Sequence, residues 1–360
     1  MSKLLFIRYN KPSGILEGGA QGTQKNYNIL CRILGAENVT TYCINDKESS
    51  NSDYFNGFFL MFQNYFLGLT SKKMNYIVDI AFNYDYVFID RSVFGIIAKR
   101  LVESGYKGKI ITFFHNVEKL YFRARVQWWK PWRYFIVRCA DKNDFFSCKY
   151  SDKIIVLNSR DNFEIEKRYH RSADELIPVA LKDKYISYKN DNLTCVEPIC
   201  LFLGAYFPPN NEGVLWFIKN VYPYVNIKMI IAGKGMSKLK EENNLPEEIE
   251  VYSDVPDLTP FFNSSDFMIL PIFKGSGMKV KTCESLMYGK NIIATNEAFE
   301  GYELDYDKVG GLCNTAEEFI DRINYFSKNP IPQFNQYSRQ IFLEKYSEDA
   351  IIDKFRRILL

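Results

Sequence analysis

The sequence predicts an α/β protein built from two doubly wound parallel sheets, one in each half of the chain. Three observations lead there. With 360 residues the chain exceeds one ordinary domain and fits two of roughly 150–200 residues. Short β-branched or aromatic runs alternate with helix-period segments, the pattern of parallel βα units. One polar stretch without a steady period, KDKYISYKNDNLTCVE from Lys182 to Glu197, interrupts the alternation and reads as a linker.

In the first half the expected strands are Leu4–Tyr9, Val39–Ile44, Tyr86–Asp90, Lys109–Phe114 and Lys153–Leu157. The first helix carries an apolar stripe at Tyr27, Leu30, Cys31 and Leu34, and Gly35 ends it. In the second half the strands are Ile199–Leu203, Lys228–Ala232, Ile249–Tyr252, Phe267–Leu270 and Asn291–Thr295. Domains are expected at 1–181 and 199–345, with a linker at 182–198 acting as one hinge. Residues 346–360 contain an amphipathic helix able to cross back to the first domain.

Composition narrows the class. Hydrophobic residues at 47% and charged residues at 25% are the balance of a soluble globular protein with material for two cores. Aromatics reach 16%, which fills cores but also suits ring contacts with sugars, bases or a membrane interface. A net charge of +3 supplies no global field for nucleic acid. The eight Cys contain no CxxC pair and only two His are present, so no metal site is expected and the thiols read as reduced. The N-terminus runs straight into a strand, and the longest apolar stretch, Phe58–Leu69, is too short to span a bilayer. The expected location is the cytoplasm.

The densest signal runs from Asp266 to Glu303. A buried strand leads into a loop containing Gly275 and Gly277, then into a helix expected to begin near Gly277. The carboxyl end of a parallel strand followed by a helix N-terminus binds anions through free N–H groups and the helix dipole. Lys279 and Lys281 put positive charge in the first turn, where it disfavours the helix unless an anionic ligand offsets it. A solvated basic face is the alternative.

Here the residues GSGMKVKTCESLMYGKNIIAT resemble the donor-binding segment of the family-four glycosyltransferases (glycosyl transferases group 1). The branch is the one with G-x-[RK]-x-K-x-x-E followed by a G-K-x-I-I-A-T strand. The resemblance implies a GT-B fold, two Rossmann-like domains facing a cleft, in which a nucleotide diphosphate sugar gives its sugar to an acceptor hydroxyl. It implies that Glu284 holds the ribose hydroxyls, and that the amides of Met278, Lys279 and Val280 cap the phosphates and sugar. The family's Glu-x7-Glu pattern departs here, because Ser276 stands at its first position. FLGAYFPPNNEGVLWF resembles the first strand and turn of the nucleotide domain, with Gly204 near the sugar or diphosphate. The family's Arg and Lys after that glycine are replaced by Tyr206 and Phe207, so Lys234 and Lys279 are the candidates to compensate. Asp254 and Val255 match the loop whose backbone reads the base edge.

In the first half, the long glycine-rich loop Tyr9–Gln24 holds Gly18 and Gly19, which resemble the family's pair at the cleft. His115 follows a strand directly, and the resemblance implies that it touches the donor sugar while Glu118 caps the next helix. Ser159 is the expected cap of the helix after Leu157, with Arg160 directed at the cleft, and His170 closes that helix. The expected catalytic set is thus His115, Lys279 and Glu284. Gly275–Lys281 stabilises charge on the leaving diphosphate. The family is retaining and needs no metal or cofactor. No Asp-x-Asp metal motif appears.

Between Lys119 and Arg138 six basic residues and Trp128, Trp129 and Trp132 occur without an acidic residue. That suits peripheral attachment to anionic lipid at the inner membrane face, where a saccharide or lipid-linked saccharide acceptor would be presented. A packed helix with a basic face, or single-stranded nucleic acid binding, uses the same residue types. Aromatic excess and resemblance together suggest surface polysaccharide or glycolipid synthesis. A catalytically silent sugar-nucleotide-binding partner and a nucleotide-sugar epimerase remain alternatives. A dehydrogenase is remote without a GxGxxG motif.

Overall fold

The computed structural model describes residues 2–10, 18–45, 60–66, 68–123, 133–186 and 197–360. The chain gathers into two compact units, Met1–Pro178 with Ile351–Leu360, and Val179–Ala350.

Among the described residues the first unit holds one six-stranded parallel sheet in the order β2-β1-β3-β4-β5-β6. Its strands are β1 (Leu4–Asn10), β2 (Val39–Asn45), β3 (Tyr86–Ile89), β4 (Lys109–Phe114), β5 (Lys153–Val156) and β6 (Glu175–Leu176). Leu4 to Ile7 are fully buried, as are Val87 to Ile89. Such unbroken apolar runs arise because helices cover a parallel sheet on both faces. Tyr65, Phe66 and Leu69 pack into this core, which explains the apolar stretch around them.

The first helix runs from Gly18 to Leu34, which corrects the expected loop: Gly18 and Gly19 begin a helix. Loop residues 11–17 lie outside the described residues. The buried face is also rotated from the expected stripe, to Lys25, Asn26, Ile29 and Leu30, while Tyr27 and Leu34 are only half-buried. Two polar residues occupy that face because each has a partner there. Lys25 lies over the Phe113 and Phe355 rings at 5.0 and 5.5 Å, and Asn26 bonds the Asp90 carboxylate. Gly35 ends the helix at φ 89°. Helix Ser159–Tyr169 is capped by Asn158, not Ser159: the Asn158 side chain accepts from the Asp161 amide at 2.8 Å. His170 closes it in the left-handed region.

The last helix, Glu348–Leu359, returns the chain to the first unit from Ile351 onward. Phe355 stacks on Phe88 at 6.4 Å, the Tyr86 hydroxyl donates to the Leu359 carbonyl at 2.6 Å, and Arg357 pairs with Glu175 at 2.8 Å.

The second unit carries β7 (Ile199–Leu203), β8 (Lys228–Gly233), β9 (Ile249–Ser253), β10 (Phe267–Leu270), β11 (Asn291–Ala294) and β12 (Gly310–Leu312). They form a parallel sheet in the order β12-β11-β10-β7-β8-β9. Phe202, Phe217 and Phe319 are fully buried, with Phe217 and Phe319 edge to face at 5.8 Å.

The seven described cysteines are free thiols. Residues 187–196 of the expected linker lie outside the described residues, as do Trp128, Trp129 and Trp132 of the basic segment. Among the described residues, no helix is long and apolar enough to cross a membrane.

Candidate functional site

In the second sheet the chain leaves β7 toward β8 on one side and passes to β10 on the other. The carboxyl ends of β7 and β10 therefore flank a topological switch point, where open α/β sheets bind ligands. The residues singled out in this half collect around those ends.

Gly204 follows β7. A Cβ there would lie 2.9 Å from Asn210 Nδ2 and 3.1 Å from Lys281 Nζ. Lys281 Nζ donates to Asn210 Oδ1 at 2.7 Å and lies 4.7 Å above the Phe202 ring. Burial pulls the Lys281 ammonium down to a pKa of about 7; Glu284 opposes the shift and Lys279 adds to it. Gly233, ending β8 at φ 151°, is forced to be glycine: a Cβ would fall 1.9 Å from the Gly204 carbonyl oxygen.

The helix after β10 begins at Val280, three residues beyond its expected start, with Lys279 as its N-cap residue. Gly277 sits in the left-handed region at φ 60°, which turns the loop into the helix. Lys279 folds back on the loop, donating to the Gly277 carbonyl at 3.0 Å and pairing with Glu297 at 2.6 Å. Its Cε would lie 2.9 Å from a Cβ on Gly275. The two first-turn lysines thus part company. Lys279 is matched by a carboxylate, and Lys281 is the cation beside Gly204, a place expected for Lys234 or Lys279. Ser276 is half-buried in the loop, and the Met278 sulfur accepts from the Val179 amide at 3.5 Å. Glu284 lies half-buried on the same helix, one turn past Lys281.

Lys234 is exposed after β8, and its carbonyl accepts from the Tyr206 amide at 2.8 Å. Asp254, at φ 55°, accepts from the Gly235 amide at 3.2 Å, joining the ends of β8 and β9, and Val255 follows it.

In the first unit His115 Nε2 lies 3.2 Å from Asp90 Oδ2, at the carboxyl ends of β4 and β3. Asp90 is buried and also accepts from Thr23 and, at 2.7 Å, from Asn26. Burial alone would raise its carboxyl, but His115, Thr23 and Asn26 together hold it below the usual range. The glycine at His115 is Gly22, whose Cβ would lie 3.1 Å from the ring; at Gly19 a Cβ would meet nothing within 4 Å. Glu118 accepts from Arg91 at 2.7 and 3.0 Å, an ion pair in place of the expected cap. Sequence reasoning missed Asn210, Glu297, Asp90 and Gly22, each defined by a contact distant in sequence.

Asp90→Asn should lower stability by about 3 kcal/mol, because it replaces a buried carboxylate that three side chains address. Urea denaturation checks this. The folded carboxyl is depressed, so its contribution is complete above about pH 4 and is lost as pH falls through the folded value. The variant should lack that acid-dependent component.

Residues 197–329 match the family described as Glycosyl transferases group 1. That segment contains Gly204, Gly233, Lys281 and Glu284. The whole chain is similar in fold to Anabaena Alr3699/HepE in complex with UDP-glucose, with a TM-score of 0.66, 12% identity, and coverage of 100% of this chain and 99% of that one. It is likewise similar to the sucrose-phosphate synthase of Thermosynechococcus elongatus, with a TM-score of 0.73, 13% identity, and coverage of 99% and 98%. The two six-stranded parallel sheets are those of the GT-B α/β fold. An uncharacterised 44.6 kDa protein in the cps region of Klebsiella pneumoniae is 26% identical, over 73% of this chain and 71% of that protein.

Proposed function

We propose that this protein is a metal-independent, retaining glycosyltransferase that moves a hexose from a nucleotide diphosphate sugar to a saccharide acceptor hydroxyl. The observation that carries the reading is a coincidence of place. The segment matching group 1 glycosyl transferases contains the switch point where Lys281, Gly204 and a helix N-terminus converge. In this reading the first-turn amides and Lys281 receive the diphosphate and stabilise the charge that grows on it as the sugar departs. Glu284 takes the ribose hydroxyls, and Asp254 and Val255 read the base edge. Gly204, Gly275 and Gly277 let the backbone approach, while Ser276 and the amides of Met278 and Val280 address the sugar side. Lys279, held by Glu297, supports the loop. In the first unit Asp90 orients His115, the residue proposed to serve in catalysis.

The nucleotide proposed first is UDP, after the UDP-glucose complex of Alr3699/HepE. The relative in a cps region favours surface polysaccharide synthesis as the pathway. Attachment to the inner membrane face through 119–138 belongs to the same proposal; retention on zwitterionic vesicles equal to that on anionic ones would refute it.

Calorimetry with UDP, GDP, ADP, CMP and dTDP in EDTA should find one diphosphate that binds, and Glu284→Ala should weaken it about tenfold or more. Failure of all five would remove the donor-site assignment. Binding without transfer or hydrolysis would point to the silent sugar-nucleotide partner, and an altered sugar without any acceptor to an epimerase.

A further inference from the structure

Outside the switch points, a groove of about 400 Å³ opens on the helical side of the first unit. It is lined by Lys119, Asp141, Lys142, Phe145, Arg168 and Tyr169. These residues come from helices Glu118–Arg123, Arg133–Tyr150 and Ser159–Tyr169, so helix faces rather than strand ends build it. Its volume is that of a small-molecule site.

The charges in the groove are unevenly committed. Asp141 is fixed in its wall, accepting from Lys119 Nζ at 3.0 Å and from the Tyr169 hydroxyl at 2.8 Å. Burial and the neighbouring carboxylates hold the Tyr169 hydroxyl far above its ordinary pKa, so it stays a donor. Two of the carboxylate's four acceptor directions remain for a ligand. Among the described residues Lys142 makes no ion pair, and its ammonium lies 5.7 Å from the Phe145 ring centre. Arg168 lines the groove and pairs with Glu164 through Nε at 2.9 Å.

We propose that this groove binds an acidic saccharide, a sugar chain carrying a carboxylate. The outer nitrogens of Arg168 and the Lys142 ammonium receive the carboxylate in charge-assisted bonds. Asp141 and Lys119 accept from and donate to ring hydroxyls, and Phe145 and Tyr169 supply apolar surface for the C–H face of a pyranose. The inference is independent of the transfer activity, because it concerns residues to which the donor reading gives no role.

Calorimetry with α-1,4-linked trigalacturonate, and maltotriose as the neutral control, tests it. Trigalacturonate should bind, and the Lys142→Gln/Arg168→Gln double variant should weaken it about tenfold or more. Salt at about 0.5 M should weaken it as well, since the two cations are accessible. The double variant should keep wild-type circular dichroism and wild-type UDP binding. Equal affinity in variant and wild type, equal affinity for maltotriose, or no trigalacturonate binding at millimolar concentration would each overturn the proposal.

Discussion

Lys281→Met should leave the protein folded and remove about 100-fold of its affinity for a nucleoside diphosphate, the larger loss of the two first-turn lysines. The ammonium stands beside Gly204 with Asn210 as its hydrogen-bond partner and an aromatic face beneath it. Lys279→Met should cost less, because Glu297 already neutralises that side chain. Calorimetric titration of both variants checks the ranking, and equal losses would reject it. The pH dependence follows from the same geometry. Burial has brought Lys281 to about 7, so above that pH the empty site holds a neutral amine and a bound diphosphate must draw a proton onto it. Affinity should fall as pH rises from about 7 to 9, by up to about tenfold per unit, and Lys281→Met should not show this slope. Stability runs the other way. A depressed lysine pKa means that its contribution is full above the unfolded value of about 10.5 and is lost as pH falls through about 7. The variant should therefore gain on the wild type as pH is lowered across that window.

Gly233→Ala should be the most damaging small substitution in the second unit, with a loss of about 3–5 kcal/mol and a matching fall in the urea midpoint. Its added carbon would sit 1.9 Å from the Gly204 carbonyl oxygen and 2.6 Å from the carbonyl carbon, both backbone atoms of the adjacent strand end. Relief requires parting β7 from β8 beyond the Leu203–Ala232 pair. The parting would also displace Gly204 from Lys281, so diphosphate binding should fail together with stability. Gly19→Ala is the control. It meets open space in a helix and should be neutral or stabilising by up to about 1 kcal/mol. Similar outcomes for the two would show that the close approach at Gly233 is unimportant.

The parts legible in the sequence were those written in local pattern. Runs such as Phe267–Leu270 and Ile154–Val156 announce themselves because both faces are buried, which removes polar residues from the run. Two edge strands escaped: Glu175–Leu176 is too short for a period, and Gly310–Leu312 is mostly glycine. The start of the first helix escaped for a related reason, since Gly18 and Gly19 carry the composition of a loop. In the candidate site, glycines and lysines were found by type and spacing, but their division of labour was not. Lys279 and Lys281 look alike on one helical turn, and only partners 18 residues onward at Glu297 and 71 residues back at Asn210 distinguish them. Asp90 was hidden likewise, because its partners Thr23, Asn26 and His115 lie 67, 64 and 25 residues away.

The return of residues 351–360 to the first unit means that this unit is closed by the last residues to be synthesised. A chain synthesised from its N-terminus ordinarily completes its domains in sequence. Here everything from Val179 to Ala350 has been translated before Phe355 can reach Phe88 or Leu359 can cap Tyr86. The later-encoded unit is therefore the first whose residues are all available, while the earlier one waits with part of its sheet uncovered. A released chain ending at Ala350 should resist protease in the second unit and remain sensitive in the first.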